Sequence, residues 1–172
     1  MQKEVYKGQI IRVTEEEMNN TIWERCFVPD GVIVFPITDE GKILLIEEKR
    51  PHETPNVRLK PVSGILEISL GTPKDNAQRE MQEEIGFRAE KLTPILTINS
   101  SGTINSSQYF FIAEGLVADK LPNPDGEDVI LSIKAYTPQE LEEMVWQEKL
   151  KWSVSTLGIF KLLELLRQRV TP

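Results

Sequence analysis

The sequence predicts an α+β protein in which a mixed β-sheet is sandwiched by helices. Three observations support this class: strand-like runs fill much of the first half, one capped helix separates two sets of strands, and helical stretches close the chain. A chain of 172 residues is most simply a single folded unit with a sizeable core.

The N-terminal third reads as extended chain. The segment VYKGQIIRV alternates roughly between apolar and polar residues, and TIWERCFV is rich in β-branched and aromatic residues, so we expect strands within 4–29. The following segment, GVIVFPITDEGKILLIEEKR, contains two apolar runs separated by TDEG. This pattern predicts a β-hairpin with Gly41 at its turn.

The clearest helix is predicted from Thr72 to Ile85. Thr72 and Asp75 suit a capping box, and Pro73 falls at the first helical position. Gly86 follows the helix and can end it in the left-handed conformation.

The second half of the chain alternates strands, a loop and helices. PILTINS, QYFFIAEGLVA and DVILSIKAY read as strands, and LPNPDGED between the last two reads as a polar loop. Thr137 and Pro138 repeat the cap-and-proline signal, which predicts a helix to about Leu150. A final amphipathic helix is expected near Ser155 to Arg167.

The composition is acidic and poor in cysteine. The chain has 27 Asp+Glu against 20 Lys+Arg, a formal net charge of -7, which argues against non-specific nucleic-acid binding. Its single cysteine excludes an intrachain disulfide and a cysteine-cluster metal site. No run approaches the ~18 apolar residues of a membrane span, so the expected location is the cytoplasm, without a membrane partner.

The helix at 72–85 carries an unusual group of carboxylates. With 100° between successive residues, one narrow stripe is apolar, namely Ala77, Met81 and Ile85. The neighbouring fan is acidic, namely Glu80, Glu83 and Glu84. This fan is either a solvated acidic face on which Arg79 pairs with Glu83, or a site for a hard divalent cation such as Mg²⁺ or Mn²⁺.

Residues 79–87, REMQEEIGF, resemble a known family motif. They match the second half of the Nudix hydrolase box, GX5EX7REUXEEXGU, where U is a bulky apolar residue, and the box glycine corresponds to Gly64. The wider chain resembles the branch of ADP-ribose and nucleoside-diphosphate-sugar pyrophosphatases. The resemblance implies a Nudix-type α/β/α sandwich with a mixed sheet over 31–172 and an N-terminal strand extension over 1–30.

The resemblance also implies an activity and a site. It indicates a pyrophosphohydrolase that cleaves the diphosphate of a nucleoside diphosphate linked to a sugar or similar group, with Mg²⁺ or Mn²⁺ as cofactor. Glu80, Glu84 and the backbone carbonyl of Ser63 would be metal ligands. Glu83 would bind a second metal or orient the water, and Arg79 would fix the glutamates by ion pairing.

Substrate and base residues are expected outside the box. The branch draws its general base from the acidic loop before its last strand, which implies Glu127 here, with Asp125 as second choice; an ordinary polar turn is the alternative. Arg50 matches an arginine of the branch that positions substrate. Lys60, in KPVSG where the branch has ELPAG, stands where a substrate-contacting carboxylate is expected. The branch commonly forms homodimers through N-terminal strands, and residues 4–29 are compatible with one.

The first half of the box departs from the motif. Gly64 and Arg79 are separated by one residue more than in the motif, and Gly71 occupies the position of the glutamate that helps to hold the box arginine. Glu67 is the nearest carboxylate that could replace it. This departure supports one alternative to an enzyme, a non-catalytic Nudix-fold ligand-binding or sensor module. A plain structural protein with an acidic helix is a further alternative.

Overall fold

The computed structural model describes residues 2–124, 126, 129–150 and 153–170. In chain order the strands are β1 (Lys3–Lys7), β2 (Arg12–Met18), β3 (Thr21–Phe27), β4 (Gly31–Pro36), β5 (Ile43–Lys49), β6 (Val57–Lys60), β7 (Val62–Ile65), β8 (Phe87–Ser101), β9 (Ile104–Ala118) and β10 (Ile130–Tyr136). The helices are α1 (Pro73–Glu84), α2 (Pro138–Trp146) and α3 (Ser153–Val170). A 3₁₀ turn, Ile68–Leu70, precedes α1.

Two sheets form the centre of the molecule. The larger has seven strands: six follow one another in the order β1-β2-β3-β9-β4-β7, and the seventh, β8, also pairs with β9. The smaller has the order β10-β5-β6. The larger sheet is mixed, because β4 runs parallel to β9 and antiparallel to β7. The predicted α+β class with a mixed sheet between helices is therefore confirmed.

The apolar runs of the central strands are continuous because both of their faces are covered. In β4, Ile33 and Phe35 belong to the core beside α2 and α3, whereas Val32 and Val34 belong to the core beside α1. Strands β5 and β9 divide their side chains between the same two cores. Period-2 alternation thus sends successive side chains into two separate apolar layers.

The predicted hairpin between the runs at 31–36 and 43–49 is wrong. A turn does connect them, with Gly41 at φ 75°, but β4 lies in the larger sheet and β5 in the smaller one. They share only an isolated bridge between Ile37 and Ile43. Strand β4 pairs with β7 on one edge and with β9 on the other, and all its residues are buried. No edge of β4 is therefore free for β5, which pairs elsewhere.

The helices otherwise follow the sequence prediction, with one difference. The second helix ends at Trp146 rather than near Leu150, and Glu148 adopts a positive φ of 56° just beyond it. Among the described residues, no helix combines the length and apolar character needed to cross a membrane.

The N-terminal strands extend the larger sheet at its edge. Strands β1, β2 and β3 form an antiparallel ribbon, and β3 joins the first residues of β9 through Cys26 and Phe27. The predicted division at residue 30 between a strand extension and a Nudix domain stays a prediction.

Gly158 in α3 offers a test of the packing beside the central sheet. A Cβ atom built on it would lie 2.4 Å and 2.5 Å from ring atoms of Phe110 and 3.1 Å from Phe35. We expect Gly158→Ala to lower the free energy of unfolding by about 1–3 kcal/mol through overpacking, although alanine favours helices by about 1 kcal/mol. Urea unfolding measures this, with the exposed Lys161→Ala on the same helix as control. A stabilised Gly158→Ala would contradict the packing described.

Candidate active site

The N-terminus of α1 is fixed by the predicted capping box. The Thr72 hydroxyl oxygen accepts a hydrogen bond from the Asp75 N–H at 3.3 Å, and the Asp75 carboxylate accepts one from the Thr72 N–H at 2.8 Å. Pro73 occupies the first turn, and Gly86 follows the helix at φ 74°. These contacts confirm the predicted helix and set the orientation of its carboxylates.

The apolar stripe of α1 is buried as predicted, and the acidic fan lies beside it. Ala77 and Met81 are fully buried, and Ile85 is nearly so. The side chains of Glu80, Glu83 and Glu84 are only 12%, 11% and 9% exposed. The fan is therefore not a solvated acidic face, and each carboxylate needs a compensating partner.

Glu83 is buried although the helical wheel places it furthest from the stripe. The segment after β9 packs against the end of α1: Lys120 Nζ donates to the Glu83 carbonyl at 2.7 Å, and Leu121 N–H donates to the Gln82 carbonyl at 3.1 Å. A long-range contact thus covers a helix face that local periodicity predicts to be solvated.

Gly64 on β7 leaves the space that the Glu80 carboxyl occupies. A Cβ at Gly64 would lie 2.1–2.4 Å from the three atoms of that carboxyl group. Only glycine permits this approach between the strand and α1, since any side chain would displace the carboxyl. The box glycine therefore has a steric role in positioning a predicted metal ligand.

Arg79 is the ionic link of the fan. Its Nη1 donates to both oxygens of Glu83 at 3.0 Å and 3.2 Å, and its Nη2 lies 3.3 Å from Glu80. The same Nη2 donates to Glu67 Oε1 at 2.8 Å. Glu67 therefore contacts the arginine that the missing glutamate at Gly71 would hold.

The extra residue before α1 is accommodated by the 3₁₀ turn that follows Glu67. Gly71 ends this turn at φ 114°. The buried Asn76 side chain holds the segment from the helix side, because its Oδ1 accepts from Glu67 N–H at 3.0 Å and its Nδ2 donates to the Glu67 carbonyl at 3.2 Å. Asn76 was not among the predicted site residues, because the 100° spacing places it near Glu83 and away from the apolar stripe, so local periodicity gives no sign of its burial.

Lys60 lies at the opposite side of the fan and is 2% exposed. Its Nζ donates to Glu84 Oε1 at 2.9 Å, to the Ser63 carbonyl at 3.2 Å and to Ser63 Oγ at 3.0 Å. Its Nζ also lies 3.5 Å from Glu48 Oε1. The predicted ligands Glu84 and Ser63 thus contact an ammonium of this chain, and the substrate-binding role of Lys60 stays a prediction.

Glu48 on β5 and Arg50 just after this strand line the site beside Lys60. Glu48 is 3% exposed, and Arg50 Nε donates to its Oε2 at 2.7 Å. Glu48 was not among the predicted site residues, although strand alternation indicates its position: Leu44 and Ile46 point to the α1 core, and Glu48 continues that face.

An open cavity of ≈ 270 Å³ lies over these groups. Its lining includes Arg50, Ser63, Gly64, Glu67, Arg79 and the three fan glutamates. A neighbouring cavity of ≈ 240 Å³ shares Arg50, Ser63 and Gly64 with it. The structure therefore brings together Arg50, Ser63, Arg79 and the fan around one opening.

The predicted general base, Glu127, lies outside the described residues, as does Asp125. Asn123 and Pro124, which precede them, line the larger cavity. The general base therefore stays a prediction.

The electrostatics of the fan differ from one carboxylate to the next. Burial, and next the charge of Glu84, raises the pKa of Glu80 from 4.5 to about 7. Burial also raises the pKa of Glu84, and the Lys60 ammonium opposes that shift. The positive charges of the chain thus leave Glu80 incompletely neutralised near neutral pH.

A divalent cation fits the donors on the Glu80 side of the fan. Within the described part of the chain, no group of three or more His, Cys, Asp or Glu side chains is arranged to hold a metal ion. Mg²⁺, however, is usually bound by one or two carboxylates together with substrate phosphates and water. Glu80, whose carboxyl meets only Arg79 Nη2 at 3.3 Å among the described cationic groups, and the neighbouring Glu83, which Arg79 also holds, both line the cavity and fit this mode.

Comparisons with known proteins show the family of the chain. Residues 28–154 match the model of the NUDIX domain, so the chain belongs to the Nudix family of hydrolases. The chain is 29% identical over 150 residues to an ADP-ribose pyrophosphatase of Bacillus subtilis, covering 83% of this chain and 80% of the relative.

Two further relatives extend the comparison. A methanol dehydrogenase activator of Bacillus methanolicus is 24% identical over 172 residues, covering 91% of this chain and 87% of that protein. A crystal structure of an ADP compounds hydrolase superposes with a TM-score of 0.84 at 19% identity, covering 100% of this chain and 95% of the other. The structural match confirms the predicted Nudix-type sandwich.

The raised pKa of Glu80 predicts how the stability of the metal-free protein depends on pH. Because the folded state binds this proton more tightly than the unfolded state, stability falls as pH rises from about 4.5 through about 7. In EDTA, we expect Glu80→Gln to melt at a higher temperature than wild type at pH 8 and to show a shallower decline with pH. Thermal melts from pH 5 to 8.5 measure this, with the exposed Glu143→Gln as control. Parallel curves for wild type and Glu80→Gln would contradict the assignment.

Proposed function

We propose that this protein is a divalent-cation-dependent pyrophosphohydrolase that cleaves the diphosphate of a nucleoside diphosphate linked to a sugar or similar group. The observation that carries this proposal is the buried fan of Glu80, Glu83 and Glu84 beside Gly64 under an open cavity. Three carboxylates within two helical turns are costly unless cations offset them. A diphosphate with its bound Mg²⁺ or Mn²⁺ supplies that cation.

The proposed reaction is attack of water on phosphorus. A new P–O bond forms, the bridging P–O bond breaks, and the two products are phosphate monoesters. The bound cation would neutralise phosphate charge and make water more nucleophilic. Residues of this chain then position the reactants: Arg50 at the cavity wall is suited to bind phosphate oxygens, and Glu80 would hold the cation.

Arg79 acts as a positioning residue in this proposal. By holding both oxygens of Glu83 and one oxygen of Glu80, it limits the orientations of these carboxylates. Glu83 then either binds a second cation or orients the attacking water. Glu127 is the proposed group that accepts the water proton.

The choice of substrate class rests on the relatives and on charge. The Bacillus subtilis relative is described as an ADP-ribose pyrophosphatase, which supports a nucleoside diphosphate linked to a sugar. KPVSG in place of ELPAG puts a positive charge in a segment that is expected to contact substrate. We therefore propose the substrate class and test its members together.

A second candidate function is a Nudix-fold ligand-binding module. The observation that favours it is the Lys60 ammonium, which contacts two predicted metal ligands. A rise in melting temperature with nucleotide sugars, without any cleavage, would support this candidate.

Hydrolysis assays test the leading proposal. We expect wild type with Mg²⁺ or Mn²⁺ to cleave at least one member of a panel of ADP-ribose, other nucleotide sugars, dinucleoside polyphosphates and nucleoside triphosphates. Glu80→Gln and Glu83→Gln should each lower kcat by about 10²-fold or more, because each removes a negative charge that holds the cation. Glu143→Gln should match wild type. The proposal fails if no member is cleaved, or if both fan variants retain full activity.

The contact between Glu67 and Arg79 predicts a milder effect. We expect Glu67→Gln to lower kcat by about 10-fold with little change in KM, as is typical when a group that orients a ligand-bearing residue is lost. Its melting temperature should stay close to that of wild type, since Glu67 is 50% exposed. Unchanged kcat would mean that Glu67 does not replace the missing box glutamate.

We also propose a homodimer formed through the N-terminal strands. Large apolar side chains are exposed on this ribbon, including Tyr6 at 53%, Ile22 at 64% and Trp23 at 57%. These side chains lie on the ribbon at one end of the larger sheet, and exposed apolar surface of this kind favours an interface.

Light scattering of Trp23→Glu tests the interface. We expect wild type to have the mass of a dimer and Trp23→Glu that of a monomer, because a buried charge at the interface is unpaired. Trp146→Glu is the matched control, since Trp146 is an exposed tryptophan on α2. A monomeric wild type would contradict the proposed dimer.

A further inference from the structure

Lys60 is the buried charge of the site that the proposed reaction leaves unexplained. It ends β6 and is placed beside the fan by pairing of β6 with β5, in which Lys60 lies opposite Ile46. Alternation along the strand then directs its side chain toward the α1 core, the same direction as Ile46. A lysine there is costly unless its ammonium is fully paired.

The pairing of the ammonium is complete. An ammonium has three protons, and Nζ makes three hydrogen bonds, to Glu84 Oε1, the Ser63 carbonyl and Ser63 Oγ. Glu48 adds a second carboxylate at 3.5 Å. The Lys60 Nζ is thus surrounded by oxygen atoms, as a small bound cation would be.

An ammonium and a divalent cation exclude each other at this position. Mg²⁺ binds oxygen at about 2.1 Å, and Nζ lies 2.9 Å from Glu84 Oε1 and 3.2 Å from the Ser63 carbonyl. An ion bound to both oxygens would therefore lie within about 5 Å of the ammonium, where the two positive charges repel. The other Glu84 oxygen accepts from the Ser63 N–H at 3.0 Å. Both Glu84 oxygens are therefore engaged within the chain.

We propose that the Lys60 ammonium is a built-in cation that fills the position between Glu84, Glu48 and the Ser63 carbonyl. Divalent cations are then confined to the Glu80–Glu83 side and need substrate phosphates to complete their coordination. This inference rests on the proposed function only in assigning divalent cations to the fan. It changes the role of Glu84 from a metal ligand to the partner of Lys60.

The first test counts divalent cations without substrate. We expect Lys60→Gln, which removes the charge and keeps a polar side chain, to bind about one additional Mn²⁺ per chain relative to wild type. Its melting temperature should rise more steeply with Mn²⁺ than that of wild type, because the ion replaces a missing buried charge. Calorimetry and electron paramagnetic resonance of free Mn²⁺ measure the stoichiometry.

Two variants sharpen this test. Lys134→Gln is the matched control, since Lys134 pairs with Glu47 at 2.7 Å on the same small sheet, outside the site, and should leave the stoichiometry unchanged. Adding Glu84→Gln to Lys60→Gln should abolish the additional ion. Equal Mn²⁺ stoichiometry in wild type and Lys60→Gln would overturn the proposal.

A second measurement is made on wild type and uses a variant only to assign the signal. We expect nuclear magnetic resonance of ¹⁵N-labelled lysine to show one slowly exchanging ammonium signal that is absent in Lys60→Arg and persists in saturating Mg²⁺. Loss of that signal with Mg²⁺ would mean that the metal displaces Lys60, which overturns the proposal. Neither measurement uses hydrolysis, so a chain that cleaves no substrate can still confirm the role of Lys60.

Discussion

Compensation of three buried carboxylates on one helix is the constraint on which the site depends. Glu80, Glu83 and Glu84 are nearly inaccessible, and like charges this close would favour protonation or unfolding without cations. Arg79 offsets Glu83, and Lys60 offsets Glu84. Of the described cations, only Arg79 contacts Glu80, through Nη2 at 3.3 Å, and burial raises the pKa of Glu80 to about 7. Because the compensation is uneven, the Glu80 carboxylate has the least neutralised negative charge of the fan, and it faces the cavity.

The fold supplies the compensation from separate parts of the chain. Strand β7 brings Gly64 against the Glu80 carboxyl, β6 brings Lys60 to Glu84, and the turn before α1 brings Glu67 to Arg79. These elements are held in place because the central strands are buried on both faces and cannot shift without disturbing two cores. The precision of a polar site thus depends on apolar packing around it.

Local patterns predicted the parts of the molecule that local forces determine. The capping box of α1, its apolar stripe and the strands of the central sheet follow from spacing and residue type. The division of β4 and β5 between two sheets did not, because two apolar runs joined by a turn look alike whether they pair or separate. The burial of Glu83 and the contact of Arg79 with Glu67 also depend on distant segments. Lys60 was noted as a departure, but its partners became visible only in three dimensions.

Anomalous diffraction from crystals grown with Mn²⁺ and a non-hydrolysable diphosphate analogue tests the central claim most directly. Our account predicts a manganese peak about 2 Å from a Glu80 carboxylate oxygen, with the analogue's phosphates completing the coordination and Lys60 Nζ still bonded to Glu84. A manganese peak between the Ser63 carbonyl and Glu84, with Lys60 displaced, would contradict it.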